Sequence, residues 1–107
     1  MTHTFMPELV VEGKGTYIFE GVKRGSVLTE KIIIKNVSGG LMVGTIKSDV
    51  PWIQLERNSI LDIHEQALYI RIVASKIDSK DSKVKGNVVI DSNGGLHVVA
   101  FEVSVKD

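Results

Sequence analysis

From Glu8 onward the chain repeats one unit: a short run rich in Val and Ile, then Gly, Asn, Asp or Ser, then another run. Apolar runs of this length between turn formers are strands. The pattern places strands at Leu9–Glu12 and Thr16–Gly21, with Gly13-Lys14-Gly15 as the bend between them. In Ser26–Asn36, Ile32 and Ile34 fall on one face and Lys31, Ile33 and Lys35 on the other, the period of two of a half-buried strand. Ser38-Gly39-Gly40 turns the chain into Leu41–Ser48. Asp49-Val50-Pro51 ends that run, because proline has no N–H for a central ladder position. Trp52–Leu55 and Ser59–Asp62 read as short edge pieces around a turn at Arg57-Asn58.

In Gln66–Ala74, Leu68, Ile70 and Ile72 share one face while Tyr69, Arg71 and Val73 point the other way. Ser75–Ser82 is polar and mixed in charge, so it reads as a solvated crossing loop. Lys83–Asp91 resumes the strand pattern with Val88 and Ile90 together. Ser92-Asn93-Gly94-Gly95 then turns it into Leu96–Val105, where Val99, Phe101, Val103 and Val105 alternate with Ala100, Glu102 and Ser104. Asn93-Gly94 is the strongest hairpin signal in the chain. No window of about eleven or more residues holds a 3.6-residue period. The expectation is an all-β sandwich of two antiparallel sheets, with seven or eight strands and no long helix. Residues 1–7 are expected to form a flexible N-terminal tail and 8–107 the domain.

Composition narrows the function more than the fold. A chain of 107 residues supports one core, and 43% apolar with 24% charged residues is the make-up of a globular domain. Thirteen acidic residues cancel thirteen basic ones, which argues against nucleic acid and against an anionic membrane surface as partners. The first residues lack the basic start and apolar run of a signal peptide, and no stretch approaches a membrane span. With no cysteine there is no disulfide, thiol nucleophile or zinc-cysteine site.

Candidate chemistry is sparse. His3, His64 and His97 have no ligand spacing; His64-Glu65 begins like a zinc-binding His-Glu-x-x-His, but Leu68 stands where the second histidine is needed. Gly13-Lys14-Gly15-Thr16 lacks the upstream glycine and following helix of a phosphate loop. Asp78 and Asp81 could supply oxygens to calcium, but Lys76, Lys80, Lys83 and Lys85 oppose a cation there, and those lysines have no interleaved aromatics for stacking bases. Asn36-Val37-Ser38 fits the N-glycosylation acceptor pattern. No cofactor, metal or catalytic constellation is expected.

The order of elements carries a resemblance. Tyr17-Ile18-Phe19-Glu20-Gly21-Val22 with Gly25, Lys31-Ile32-Ile33-Ile34-Lys35-Asn36, Gly40-Leu41 with Gly44, Pro51-Trp52-Ile53, and Gly86-Asn87-Val88 leading to Ser92-Asn93-Gly94-Gly95 together resemble the BACON-like and hydin-type group of immunoglobulin-like domains. The resemblance spans Leu9 to Val105; Phe19-Glu20-Gly21 stands where a Phe-Gly pair is more frequent in that group. It implies an immunoglobulin-like sandwich and a non-enzymatic module of a larger protein: a spacer, a protein-binding scaffold or a carbohydrate-binding accessory.

The domain is expected to bind protein partners or neighbouring domains through a sheet face or an edge strand, and two particular surfaces follow as expectations. Ile33, Val73 and Val89 fall on outward faces and would form an apolar patch for a protein partner or an adjacent domain of the parent chain if they lie side by side. Trp52, the only tryptophan, is expected to fill the core near Gly44. In the alternative, its exposed indole is a sugar platform with Asp49, Gln54 or Arg57 as polar partners, making the domain a carbohydrate-binding accessory.

Overall fold

A computed structural model of the protein describes residues 6–61 and 64–106. Among them run β1 (Leu9–Glu12), β2 (Thr16–Lys23), β3 (Val27–Asn36), β4 (Val43–Ser48), β5 (Ile53–Leu55), β6 (Ser59–Leu61), β7 (Glu65–Val73), β8 (Lys83–Ser92) and β9 (Gly95–Lys106). Two sheets pack face to face, the first ordered β1-β3-β7-β5 and the second β2-β9-β8-β4-β6. The chain is an all-β, immunoglobulin-like sandwich.

The described residues hold nine strands rather than seven or eight, because both short edge pieces pair, β5 with β7 and β6 with β4. Asp62, where the second piece was expected to end, lies outside the described residues, as do residues 1–5 of the expected tail. The second sheet is not purely antiparallel: β2 runs parallel to β9. Parallel neighbours need a long connection between them, and here almost the whole domain intervenes. Neither strand's own alternation states the direction of its neighbour.

The first run of chain is divided between layers. β1 pairs antiparallel with β3, and after Gly13–Gly15 the chain crosses to the second sheet. Along β2, Phe19 faces Val103 and Val22 faces Val105, so β2 carries one residue more than β9 over this span. Gly21, at φ 66°, takes the left-handed conformation that makes room for the extra residue. This bulge is the structural form of Phe19-Glu20-Gly21.

The alternation of each strand sets the core. Ile32, Ile34, Leu68, Ile70 and Ile72 from the first sheet meet Ile46, Val88, Ile90, Val99, Phe101 and Val103 from the second, all essentially excluded from water. Each such side chain stabilises the fold by about 1.5–3 kcal/mol relative to exposure. Tyr17 lies opposite Phe101 across the parallel ladder and stacks on it, with ring centroids 5.2 Å apart. The Tyr17 hydroxyl accepts from the Lys14 amide at 3.1 Å, which satisfies the one polar atom of the ring.

Asn93-Gly94 forms the expected hairpin turn, with Ser92 paired to Gly95. Asn93 also serves the next strand: its Oδ1 accepts from the Val43 amide at 2.9 Å, and its Nδ2 donates to the Leu41 carbonyl at 2.9 Å. The polar loop after β7 is less solvated than its sequence implied. A 3-10 turn covers Ala74–Lys76, and Ile77 is buried in the core.

Candidate interaction site

The three outward aliphatics do not form one patch. Ile33 sits on β3 in the first sheet, half-buried between Glu12 and Ala67. Val73 lies at the far end of β7 opposite Val27, and is itself buried. Six residues of strand separate Val73 from Ala67, the partner of Ile33, roughly 20 Å at the rise of a strand. Val89 belongs to the other sheet. The period of two assigns a face, but not which layer a strand joins.

Val89 nonetheless has apolar company. Directly opposite it on β9 is Val98, 46% exposed, and the next outward residue on that strand is Leu96, 65% exposed. Val43 and Leu61 face each other at the β4–β6 end of the same surface, with Asp91 and Thr45 between them and Leu96. Sequence reading missed Leu96 and Val98, though the hairpin holds the signal. Counting back from Ser92 opposite Gly95 puts Asp91 opposite Leu96 and Val89 opposite Val98.

The outer face of the first sheet is different in kind. Lys35 binds both Glu12 and Glu65, with nitrogen–oxygen distances of 2.5 and 3.2 Å. Hydrogen bonding to Glu12 and then to Glu65 raises the Lys35 ammonium above its ordinary value. Charges paired across strands in this way make a solvated face.

Trp52 is 4% exposed and lies among the core side chains. The glycine that admits it is Gly86 rather than Gly44. A Cβ on Gly86 would stand 3.0 Å from Trp52 Cζ2, 2.9 Å from Ile53 Cδ1 and 2.5 Å from Val50 Cγ2. Gly44 instead lets its own strand approach β8, where a Cβ would fall 2.2 Å from the Asp91 carbonyl oxygen.

The polar residues named with Trp52 are engaged separately. Asp49 is bonded to Asn87 on β8, and Gln54 lies opposite Arg71 on the outer side of β5. Arg57 Nε is buried without a hydrogen bond, 3.9 Å from Glu56 Oε1, which is too long for one. Glu56 itself accepts from the Tyr69 amide at 3.0 Å, just beyond the last β5–β7 pair. No exposed indole gathers these groups into a sugar subsite.

The remaining motifs have structural occupations. Arg24 reaches the loop after β7 and donates to the carbonyls of Asp78, Ser79 and Asp81 at 3.3, 3.1 and 2.9 Å. A guanidinium therefore holds the backbone oxygens that calcium would have used. Asn36 is 7% exposed; its Oδ1 accepts from the Glu8 and Ser38 amides, and its Nδ2 donates to the Gly40 carbonyl. His64 contributes its carbonyl oxygen to the Asn36 amide, His97 faces Ile90 across the hairpin, and His3 lies outside the described residues. Among the described residues no three His, Asp or Glu side chains are grouped to hold a metal.

No protein-family model matches the chain, and no curated protein sequence does. Solved structures share its fold. The Bacteroides ovatus GH5 xyloglucanase in complex with a XXXG heptasaccharide superposes with a TM-score of 0.69 at 14% identity, over 94% of this chain and 19% of that one. A protein of unknown function from Porphyromonas gingivalis W83 gives 0.67 at 13% identity, over 92% of this chain and 46% of that one. The chain thus spans about a fifth and just under half of these two proteins. The seventh PapD-like domain of human CEP192 gives 0.63 at 11% identity, over the whole of this chain and 89% of that one. At these identities the likeness is one of fold, and the fold it supports is the immunoglobulin-like sandwich.

Proposed function

We propose that this domain is a non-catalytic interaction module of a longer protein, of the BACON-like or hydin-type kind that its sequence resembles. It docks a protein partner or neighbouring domain on the outer face of its second sheet. The observation that carries this reading is the Val89–Val98 pair with Leu96 beside it. Single exposed aliphatics are ordinary on any surface, whereas contiguous ones mark a contact. Two of the matched structures support it further, since the matched region there is a fraction of a larger chain. The sugar-binding alternative needs an exposed aromatic platform, and Trp52 is buried.

A photo-crosslinking residue in place of Val98, in the full-length protein in its own cells, tests this against the same residue in place of Tyr69 on the opposite face. Cross-links from position 98 to one protein or one neighbouring domain, without them from 69, are expected. No cross-link from 98, or equal cross-linking from both, overturns the reading.

A further inference from the structure

The β2 edge is a surface distinct from the Val98 face. Among the described residues β2 is the outermost strand of its sheet and pairs only with β9. The Gly15 carbonyl accepts from the Ala100 amide at 3.0 Å, which sets the alternation. Tyr17 and Phe19 turn their backbone groups toward β9, and Thr16 and Ile18 turn theirs away from it. Among the described residues no strand lies on that side to receive them.

Beside these outward groups is an open groove of about 400 Å³, lined on the β2 side by Ile18, Phe19 and Val22 together with Glu20, Gly21 and Lys23, and by Ser26 and Leu28 at the start of β3. Two features accompany it. The bulge at Glu20–Gly21 displaces β2 from regular register, and β1 pairs β3 only from Ile33 to Asn36, so β1 does not run alongside Leu28.

We propose that this edge binds an extended segment of a partner polypeptide, which adds beside β2 and seats one apolar side chain in the groove. Unmet backbone donors and acceptors in a row call for another strand, and side chains on such a strand alternate between the two faces. Those on the inner side enter the space between the layers, where the groove lies. The bulge limits regular pairing to Thr16–Phe19, about four residues, so the anchor side chain rather than the length of the ladder sets selectivity. A second copy of this chain is a poor occupant. Its own β2 would have to supply the anchor, but Tyr17 is buried in its own core and Ile18 points to the outer face.

This inference rests on the interaction-module reading but on a different surface, so the two fail separately. The test is selection of random twelve-residue displayed peptides on the whole chain, with counter-selection on Ile18→Pro. That substitution removes an outward-facing N–H, a place where edge strands tolerate proline. Enriched peptides sharing an apolar anchor are expected to bind Ile18→Pro at least tenfold more weakly. They should slow hydrogen exchange at the Thr16 and Ile18 amides, and lose binding when their own backbone is N-methylated. No enrichment, equal binding to Ile18→Pro, or protection confined to the Val89–Val98 surface overturns it. If the proline variant does not fold, exchange at Thr16 and Ile18 in the unaltered chain decides alone. Dimerisation abolished by Ile18→Pro would assign the edge to a second copy and overturn the peptide.

Discussion

Asp49 grips Asn87 at three points: its carboxylate accepts from the Asn87 backbone amide at 2.7 Å and side-chain amide at 2.9 Å, and its own amide donates to the Asn87 carbonyl at 3.1 Å. The β4–β8 ladder ends at Ser48 opposite Val88, so this contact prolongs the pairing by one step, with one backbone hydrogen bond and the Asp49 carboxylate in place of the other.

Partial burial pushes the Asp49 carboxyl upward, but the hydrogen bonds from Asn87 outweigh it and hold the group below its ordinary value of 3.8. A carboxyl held low in the folded state adds stability that is fully present above 3.8 and is lost as the pH falls through its lower folded value. Asp49→Ala should cost about 1 kcal/mol at pH 7 by urea unfolding, with the difference from the parent shrinking as the pH falls below 3.8. A difference unchanged at low pH would show that the carboxylate charge is not what matters.

Trp52 and Gly86 should behave as one packing unit. Trp52→Ala is expected to cost about 3–5 kcal/mol, as for other large-to-small changes in a core. Gly86→Ala should cost about 1–3 kcal/mol by overpacking the same space. The parent's tryptophan emission should be blue and shielded from iodide, and Gly86→Ala should shift it. Ready quenching in the parent would return the indole to the surface.

The sequon at Asn36 should stay bare. Its Nδ2, the atom a glycan would take, donates to the Gly40 carbonyl at 3.2 Å inside a half-buried turn. Expression through a eukaryotic secretory pathway should give an intact mass without glycan. Asn36→Ala should destabilise by about 1–3 kcal/mol, because the Glu8 and Ser38 amides lose their shared acceptor.

Arg24→Ala should loosen the loop after β7 without unfolding the sandwich, since three of its carbonyls depend on that guanidinium. Hydrogen exchange should rise across residues 78–81 and stay unchanged at β8 and β9. A uniform rise would mean that Arg24 supports the whole fold.

Strand positions and inward faces were legible because each rests on local alternation, as in Ile32 and Ile34 or Leu68, Ile70 and Ile72. The hairpin was legible from Asn93-Gly94, which also states the register that brings Val98 to Val89. What escaped depends on contacts distant in sequence. Val89 could not be separated from Ile33 without knowing the layers, and Gly86 could not be preferred to Gly44 as the neighbour of Trp52 without knowing which backbone passes the ring. Ile77 looked like part of a polar loop because its burial comes from the core beneath rather than from its neighbours in the chain.

The parallel pairing of β2 with β9 has a mechanical consequence. Flanking domains pulling on the two ends of this unit would draw β2 and β9 in opposite directions along their shared axis. Evenly spaced parallel hydrogen bonds from Thr16–Ala100 to Lys23–Lys106 would then bear the load together, in shear, instead of parting one at a time. Under tension the domain would act as a stiff link whose lifetime is set by a single rupture event across that ladder, with the Gly21 bulge as its weakest point.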